Sequence, residues 1–312
     1  MATEIQLVGP GGEPIAFRRL IQGHGVSTLP PMKVDLDRLE LAVTMPLAGC
    51  PPVTVLIRQS RPGFIQIDPS GVALSPAQHD GVLRDVRHIL RLDEDLSPFY
   101  ALAAADPDLG WAATGAGRMT RCLTVFEDVV KTILTTNCTW SATIRMTTAL
   151  VEQLGEPVGT AADHDACARA FPTPAAMAAQ DEPFYRDVIR AGYRARYLKE
   201  LARLVSEGEV DLEAMGRATI TELSDDELAK QLQTLPGVGP YAAAHIMMML
   251  GRYSRCVFDS WTRPTYAARH GLDRVSDNEI AARFAPFGRY AGLAFWLYIT
   301  HDWLEPDPIV PR

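Results

Sequence analysis

Leu235-Pro236-Gly237-Val238-Gly239-Pro240-Tyr241-Ala242-Ala243 is the stretch on which the fold turns. Leu228, Leu232 and Leu235 mark the buried face of an incoming helix, two glycines permit a tight reversal, and Pro240 suits the first turn of an outgoing helix. The spacing predicts a helix-hairpin-helix. Its free amides, around Gly237, Val238, Gly239 and Tyr241, form an anion site matched to a phosphate, and they work without any lysine. An ordinary αα-hairpin with glycine in the turn satisfies the same local pattern. What lies downstream favours the first: a helix from Tyr241 to Gly251 is about 16 Å long, and residues 252–258 span roughly 24 Å when extended. The chain can therefore return and set Asp259 beside a bound phosphate.

Outward from the hairpin, helical periodicity dominates beyond Thr120, with helices expected at Val125–Leu134, Thr143–Leu154, Phe184–Ala191, Ala195–Val205 and Asp225–Leu235. Ser224 with Glu227, and Ser276 with Glu279, have the spacing of capping boxes. The first 80 or so residues read differently. Leu39–Met45, Val53–Arg58 and Phe64–Ile67 are short strand candidates, Arg61-Pro62-Gly63 is a hairpin turn, and a helix follows from Ala77 with Val82, Val86 and Leu90 on one face. The expected class is α+β, with a β-rich N-terminal domain over residues 1–118 and a helical domain over residues 119–312.

The chain has 312 residues, 47% of them hydrophobic, enough for one large core or two ordinary ones. No apolar run approaches the roughly 20 residues that span a bilayer, and the start MATEIQLVGP has no secretory pattern, so no membrane role and a cytoplasmic location are expected. Cys50, Cys122, Cys138, Cys167 and Cys256 form no short-range pair, so they yield neither a disulfide framework nor a C-x-x-C metal site, and no four-cysteine iron–sulfur loop closes the C-terminus. A net charge of −8 argues against wholesale coating of nucleic acid, so any such contact must be local. Of the 30 basic residues only Lys33, Lys131, Lys199 and Lys230 are lysines, and the rest are arginines suited to bidentate phosphate contacts.

The hairpin, followed at this distance by Val257-Phe258-Asp259 and a new helix, resembles the superfamily named for its helix-hairpin-helix, Gly/Pro-rich loop and aspartate (HhH-GPD). Arg91-Leu92-Asp93, Phe99-Tyr100, Thr124-Val125-Phe126-Glu127, Ile133-Leu134-Thr135-Thr136-Asn137, Gly192-Tyr193-Arg194-Ala195-Arg196-Tyr197 and Tyr290-Ala291-Gly292 look like segments of its 8-oxoguanine and 3-methyladenine (alkylbase) DNA glycosylase branches, in the same order. The resemblance implies a helical domain beside a TATA-binding-protein-like antiparallel β-domain. It also implies a monomeric base-excision enzyme acting on double-stranded DNA that contains a damaged base, with no required cofactor. A structural monovalent cation held by the backbone carbonyls of Gln233, Leu235 and Val238 is a further implication.

Breaking an N-glycosidic bond builds positive charge on the sugar, so Asp259 is the expected catalytic carboxylate, while its bland role is a helix N-cap. Bifunctional members carry a lysine two residues after the second hairpin glycine. Here Tyr241 stands there, which implies a monofunctional enzyme that leaves an abasic site. By the same resemblance Asn137, Tyr193 and Arg194 fill the gap or read the orphan base, against the alternatives of a helix-end Asn and a packed Tyr–Arg pair. Tyr241, His245, Trp261, Phe295 and Ile299 are the expected base pocket, aromatic and mostly neutral, better suited to an alkylated base than to 8-oxoguanine. His245 could equally be a core histidine, Tyr241 could simply pack at the helix start, and Phe295 and Trp296 could be only core. Other functions carried forward are a non-catalytic damaged-DNA binder of the same fold, an 8-oxoguanine-type glycosylase, and a nucleosidase suggested by the acidic balance.

Overall fold

A computed structural model describes residues 2–70, 72–159 and 166–304. Among them five strands form one antiparallel sheet: β1 (Thr3–Gln6), β2 (Met32–Asp35), β3 (Glu40–Leu47), β4 (Cys50–Arg61) and β5 (Phe64–Asp68), in the order β1-β5-β4-β3-β2. Alternation sets the register. Val43 lies opposite Val55 and Ile57 opposite Ile67, which puts Leu41, Val43, Met45, Val53, Val55, Ile57, Ile65 and Ile67 on one buried face. That face is covered by α1 (Phe17–Gln22) and α2 (Pro76–Ile89). Arg61 pairs with Phe64 across a two-residue Pro62-Gly63 loop, with Gly63 at φ 75°, as the turn residues require.

The remaining helices are α3 (Ser97–Ala104), α4 (Val125–Thr135), α5 (Trp140–Leu154), α6 (Pro174–Ala178), α7 (Ala195–Ser206) and α8 (Leu212–Arg217). They continue with α9 (Asp225–Gln233), α10 (Pro240–Met249), α11 (Thr262–Arg269), α12 (Asp277–Phe284) and α13 (Ala291–Leu304). None among the described residues is long and apolar enough to cross a membrane. Both expected capping boxes form, Ser224 N donating to Glu227 at 3.1 Å and Ser276 N to Glu279 at 2.8 Å, and Ser75 with Gln78 makes a third.

One expectation is corrected. Phe184–Val188 is a π-helical turn rather than the start of an α-helix, with Ile189 N donating to the Phe184 carbonyl, and the segment ends where Arg190 turns the backbone to φ 58°. The sheet's core takes in Leu90 and Leu92, with Leu123 packed against it, whereas Leu96, Phe99, Leu109, Ala112 and Met119 pack with α12 and α13.

Helix α10 is the axis of the helical part. Ala242, Ala243, Ile246 and Met247 enter a core built with α4, α5, α7 and α9, while Ala244 and Met248 enter the core built with α3, α12 and α13. Every residue from Ala242 to Met249 is buried, and adaptable methionines suit a helix that must fit neighbours on all sides. Only the N-terminal end of this axis reaches the surface, at the hairpin.

Candidate active-site cleft and nucleic-acid interface

The hairpin has the geometry its residues dictate. Gly237 sits at φ 77°, and a Cβ there would lie 2.9 Å from the ring of Tyr197, so both conformation and space require glycine. Gly239 is the N-cap of α10, with no side chain capping the helix. Pro240 has no N–H, and among the described residues nothing accepts from the amides of Gly239, Tyr241 or Ala242. A ten-residue helix thus presents a bare, positively polarised N-terminus to solvent.

The return loop is pinned from several directions. Arg252 donates to Asp225 at 2.6 Å and to the Ala218 carbonyl at 3.1 Å, Tyr253 donates to Glu94 at 2.9 Å, and Gly292 N donates to the Tyr253 carbonyl at 2.7 Å. Val257 is fully buried, and Asp259 emerges at the mouth of the hairpin. Its Oδ1 accepts from Trp261 N at 2.8 Å and Thr262 N at 2.6 Å, while its own N–H donates to Thr262 Oγ1 at 2.9 Å. One carboxylate oxygen therefore caps α11. Among the described residues Oδ2 has no hydrogen-bond partner.

Asp259 lines a cleft of about 1350 Å³ together with Gly237, Val238, Gly239, Tyr241, His245, Trp261, Asn137 and Tyr193. Residues far apart in the chain are thus brought to one wall. Phe295 and Ile299 are not: both are buried in the core, Phe295 among Phe258, Tyr266 and Phe284 at 5.4–6.4 Å. The side of α13 that reaches the cleft carries Trp296 and Trp303, and a one-residue step turns a side chain about 100° around a helix. Trp261 stacks on Trp303 at 4.7 Å and 25°. Sequence reasoning also missed His24 and Trp140 as cleft residues; the only local signal for His24 is its setting between Gly23 and Gly25, which marks a loop.

His24 and His245 meet at 3.3 Å, and Tyr241 lies edge-on to His245 at 4.8 Å. Burial, with the like charge His245 would carry, lowers the His24 pKa to about 3, and burial lowers that of His245 to about 4. Burial also raises the Tyr241 phenol, and the Asp259 charge adds to the rise while a bond to Thr135 opposes it. This part of the cleft is therefore neutral at physiological pH.

Arg194 does not line the cleft. It is buried, its guanidinium donates to the carbonyl of Thr136 and, at 3.3 Å each, to Thr136 Oγ1 and the Ala191 carbonyl, and it lies 4.5 Å from the Tyr193 ring. The bonds to Thr136 occupy acceptors at the C-terminal end of α4 and brace the turn in which Asn137 adopts φ 46°. Asn137 and the half-exposed Tyr193 are themselves joined, Nδ2 to Oη, at 3.2 Å. Arg194→Leu, which leaves those acceptors unpaired, is expected to cost about 2 kcal/mol in chemical denaturation. No loss would show that the bonds are dispensable.

Lys131 is the lysine that lines the cleft, on α4. Its Nζ is committed to Glu127 at 2.7 Å and the Leu29 carbonyl at 3.2 Å. Burial disfavours its charge, yet the neighbouring carboxylates outweigh this and hold the pKa above the ordinary lysine value.

Residues 130–274 match the family model of the HhH-GPD superfamily base excision DNA repair protein. No curated protein matches the chain in sequence. Among solved structures, MBOgg1 in complex with a low-affinity DNA ligand is similar with a TM-score of 0.74 and 17% identity, over 97% of this chain and 96% of that one. The 3-methyladenine DNA glycosylase from Archaeoglobus fulgidus has a TM-score of 0.72 and 19% identity, over 96% and 98%. The Clostridium acetobutylicum 8-oxoguanine glycosylase/lyase, in complex with double-stranded DNA containing cytosine opposite 8-oxoguanine, has a TM-score of 0.65 and 20% identity, over 85% and 84%. At these identities the likeness is one of fold. The stretch that matches this family model, residues 130–274, holds the hairpin, His245 and Asp259.

Proposed function

We propose that this protein is a monofunctional DNA glycosylase that hydrolyses the N-glycosidic bond of a flipped, alkylated base in double-stranded DNA and leaves an abasic site. The observation that carries the proposal is the placement of the Asp259 carboxylate, one oxygen without a partner among the described residues, in the same cleft as the bare N-terminus of α10. The hairpin amides would hold a backbone phosphate, Asn137 and Tyr193 would fill the space left by the flipped nucleotide, and the aromatic walls would stack the base. As the C–N bond breaks, its electron pair leaves with the base, and Asp259 stabilises the developing sugar cation and takes a proton from the attacking water. A positively charged alkylated base departs as a neutral molecule and would be drawn to the faces of Tyr241, Trp261 and Trp296.

The hairpin carbonyls of Gln233, Leu235 and Val238 are the groups that would hold a monovalent cation, whose charge would add to the pull on the phosphate. We place the enzyme in the cytoplasm, acting as a monomer.

The test is base release from duplexes each carrying one alkylated, deaminated or oxidised base. Release from an alkylated duplex is expected; release from the 8-oxoguanine duplex alone would replace the substrate assignment. Lesion binding without any release would favour a damaged-DNA binder, and activity confined to free nucleosides would favour a nucleosidase.

Gly239 gives a separate test of the phosphate site. It lies at φ −94°, and a Cβ there meets nothing within 4 Å, so Gly239→Asp folds without strain and caps α10 with its own carboxylate. Affinity for damaged and undamaged duplex should fall alike, by about tenfold or more, with thermal stability unchanged or raised. Unchanged affinity would remove the hairpin from the interface.

A further inference from the structure

We infer that His24, contributed by the N-terminal part of the chain, is a specificity-determining residue: it fixes the neighbouring His245 as a donor whose Nε2–H faces the cleft and selects a base edge bearing a hydrogen-bond acceptor. The glycosylase proposal is needed only to name the ligand as a flipped base.

The argument is a chain of ring-nitrogen assignments. His24 caps the short 3-10 turn Gly25–Thr28, and its Nδ1 accepts from Val26 N at 3.3 Å. A nitrogen that accepts a main-chain N–H carries no proton, so the neutral ring has its proton on Nε2. That Nε2 lies 3.3 Å from His245 Nδ1 and must donate to it. His245 then keeps its own proton on Nε2.

No residue among those described accepts from His245 Nε2. Among the described residues the sealed side-chain polar atoms without partners belong to Trp111, Arg118, Glu127, Thr147, Arg169 and Ser254, so His245 Nε2 is not sealed, and its ring lines the cleft. It is a donor waiting for a ligand.

The relay is held in place from both sides. Trp296 Nε1 donates to the Gly23 carbonyl at 2.8 Å and so ties the His24 loop to α13, with the Trp296 and His24 rings 5.4 Å apart. Both rings are neutral at physiological pH, as their depressed pKa values require. The Tyr241 ring lies edge-on to His245 at 4.8 Å and shares the cleft with it. A base that offers a carbonyl oxygen or an unprotonated ring nitrogen there completes the donor. A base that offers N–H or C–H leaves it buried and unpaired, and is rejected by at least about tenfold.

The first measurement is a two-bond proton–nitrogen correlation spectrum of the full-length protein with ¹⁵N-histidine at pH 7. His24 and His245 should both show the neutral Nε2–H pattern; an Nδ1–H or charged ring at either position overturns the relay, whether or not any duplex is a substrate. His24→Phe should convert His245 to a mixture of tautomers and lower kcat/KM on the released lesion by about tenfold or more, with affinity for undamaged duplex retained. His245→Phe should lose as much, and the double variant should lose no more than His245→Phe alone. Additive losses, or an unchanged His245 spectrum in His24→Phe, would show that His24 does not act through His245. Should His24→Phe fail to fold, the wild-type spectrum and His245→Phe still decide the assignment of the rings and of the donor.

Discussion

Asp259→Asn should abolish base release, by a factor on the order of a hundred to a thousand, while lesion-duplex binding and folding survive. The substitution keeps an oxygen that can accept from Trp261 N and Thr262 N, so the cap on α11 remains. What it removes is the negative charge, which contributes less than about 1 kcal/mol at a helix N-terminus but carries the stabilisation of a cationic sugar. Asp259→Ala separates the two roles from the other side, since it also deletes the cap and should cost about 1 kcal/mol of stability. If Asp259→Asn keeps its activity, the carboxylate is only a cap. If it unfolds or loses DNA binding along with base release, the residue is structural and the catalytic role must pass to another group.

The two features that define this site were legible because each rests on local rules. Two glycines and a proline at fixed offsets encode the hairpin turn wherever the rest of the chain lies, and a helix of set rise followed by a short return loop leaves little choice over where Asp259 can sit. The capping boxes are local in the same way. What escaped sequence reasoning depends on packing. Strands β1 and β2 are four-residue edge strands, too short to show a period of two, and they exist because β5 and β3 offer them partners.

The wrong face of α13 was chosen for a related reason. Every residue from Ala291 to Thr300 is buried, so no polar stripe marks which side meets the cleft, and position counting selected Phe295 and Ile299 where the structure presents Trp296 and Trp303. Arg194 shows the limit of carrying a role over by resemblance. The residue type and position match, but its donors are turned onto Thr136 and Ala191, and what it does follows from those acceptors. His24 lies more than two hundred residues before the hairpin and Trp140 more than ninety, and only the closed structure sets them in one cleft.

Incubation with its damaged duplex should leave the strands intact until alkali is added, and borohydride should trap no protein–DNA adduct. An imine requires a neutral primary amine within bonding distance of the sugar carbon, and Tyr241 offers only a phenol there. Of the four lysines, Lys33, Lys199 and Lys230 are exposed and away from the cleft. Lys131 reaches the cleft wall, but Glu127 and the Leu29 carbonyl hold its ammonium, and its pKa is held above the ordinary value, which disfavours the free amine an imine needs. Tyr241→Lys is the converse experiment. It puts an amine at the N-terminal turn of α10, in the cleft beside Asp259, and should yield an adduct trapped by borohydride, at modest rate because the carboxylate favours the charged amine. A trapped adduct with the wild-type protein would overturn the monofunctional assignment, and its persistence in Lys131→Arg would point to an amine outside the cleft. Strand cleavage without any adduct would leave Asp259 in place while requiring a route to cleavage that does not pass through an imine.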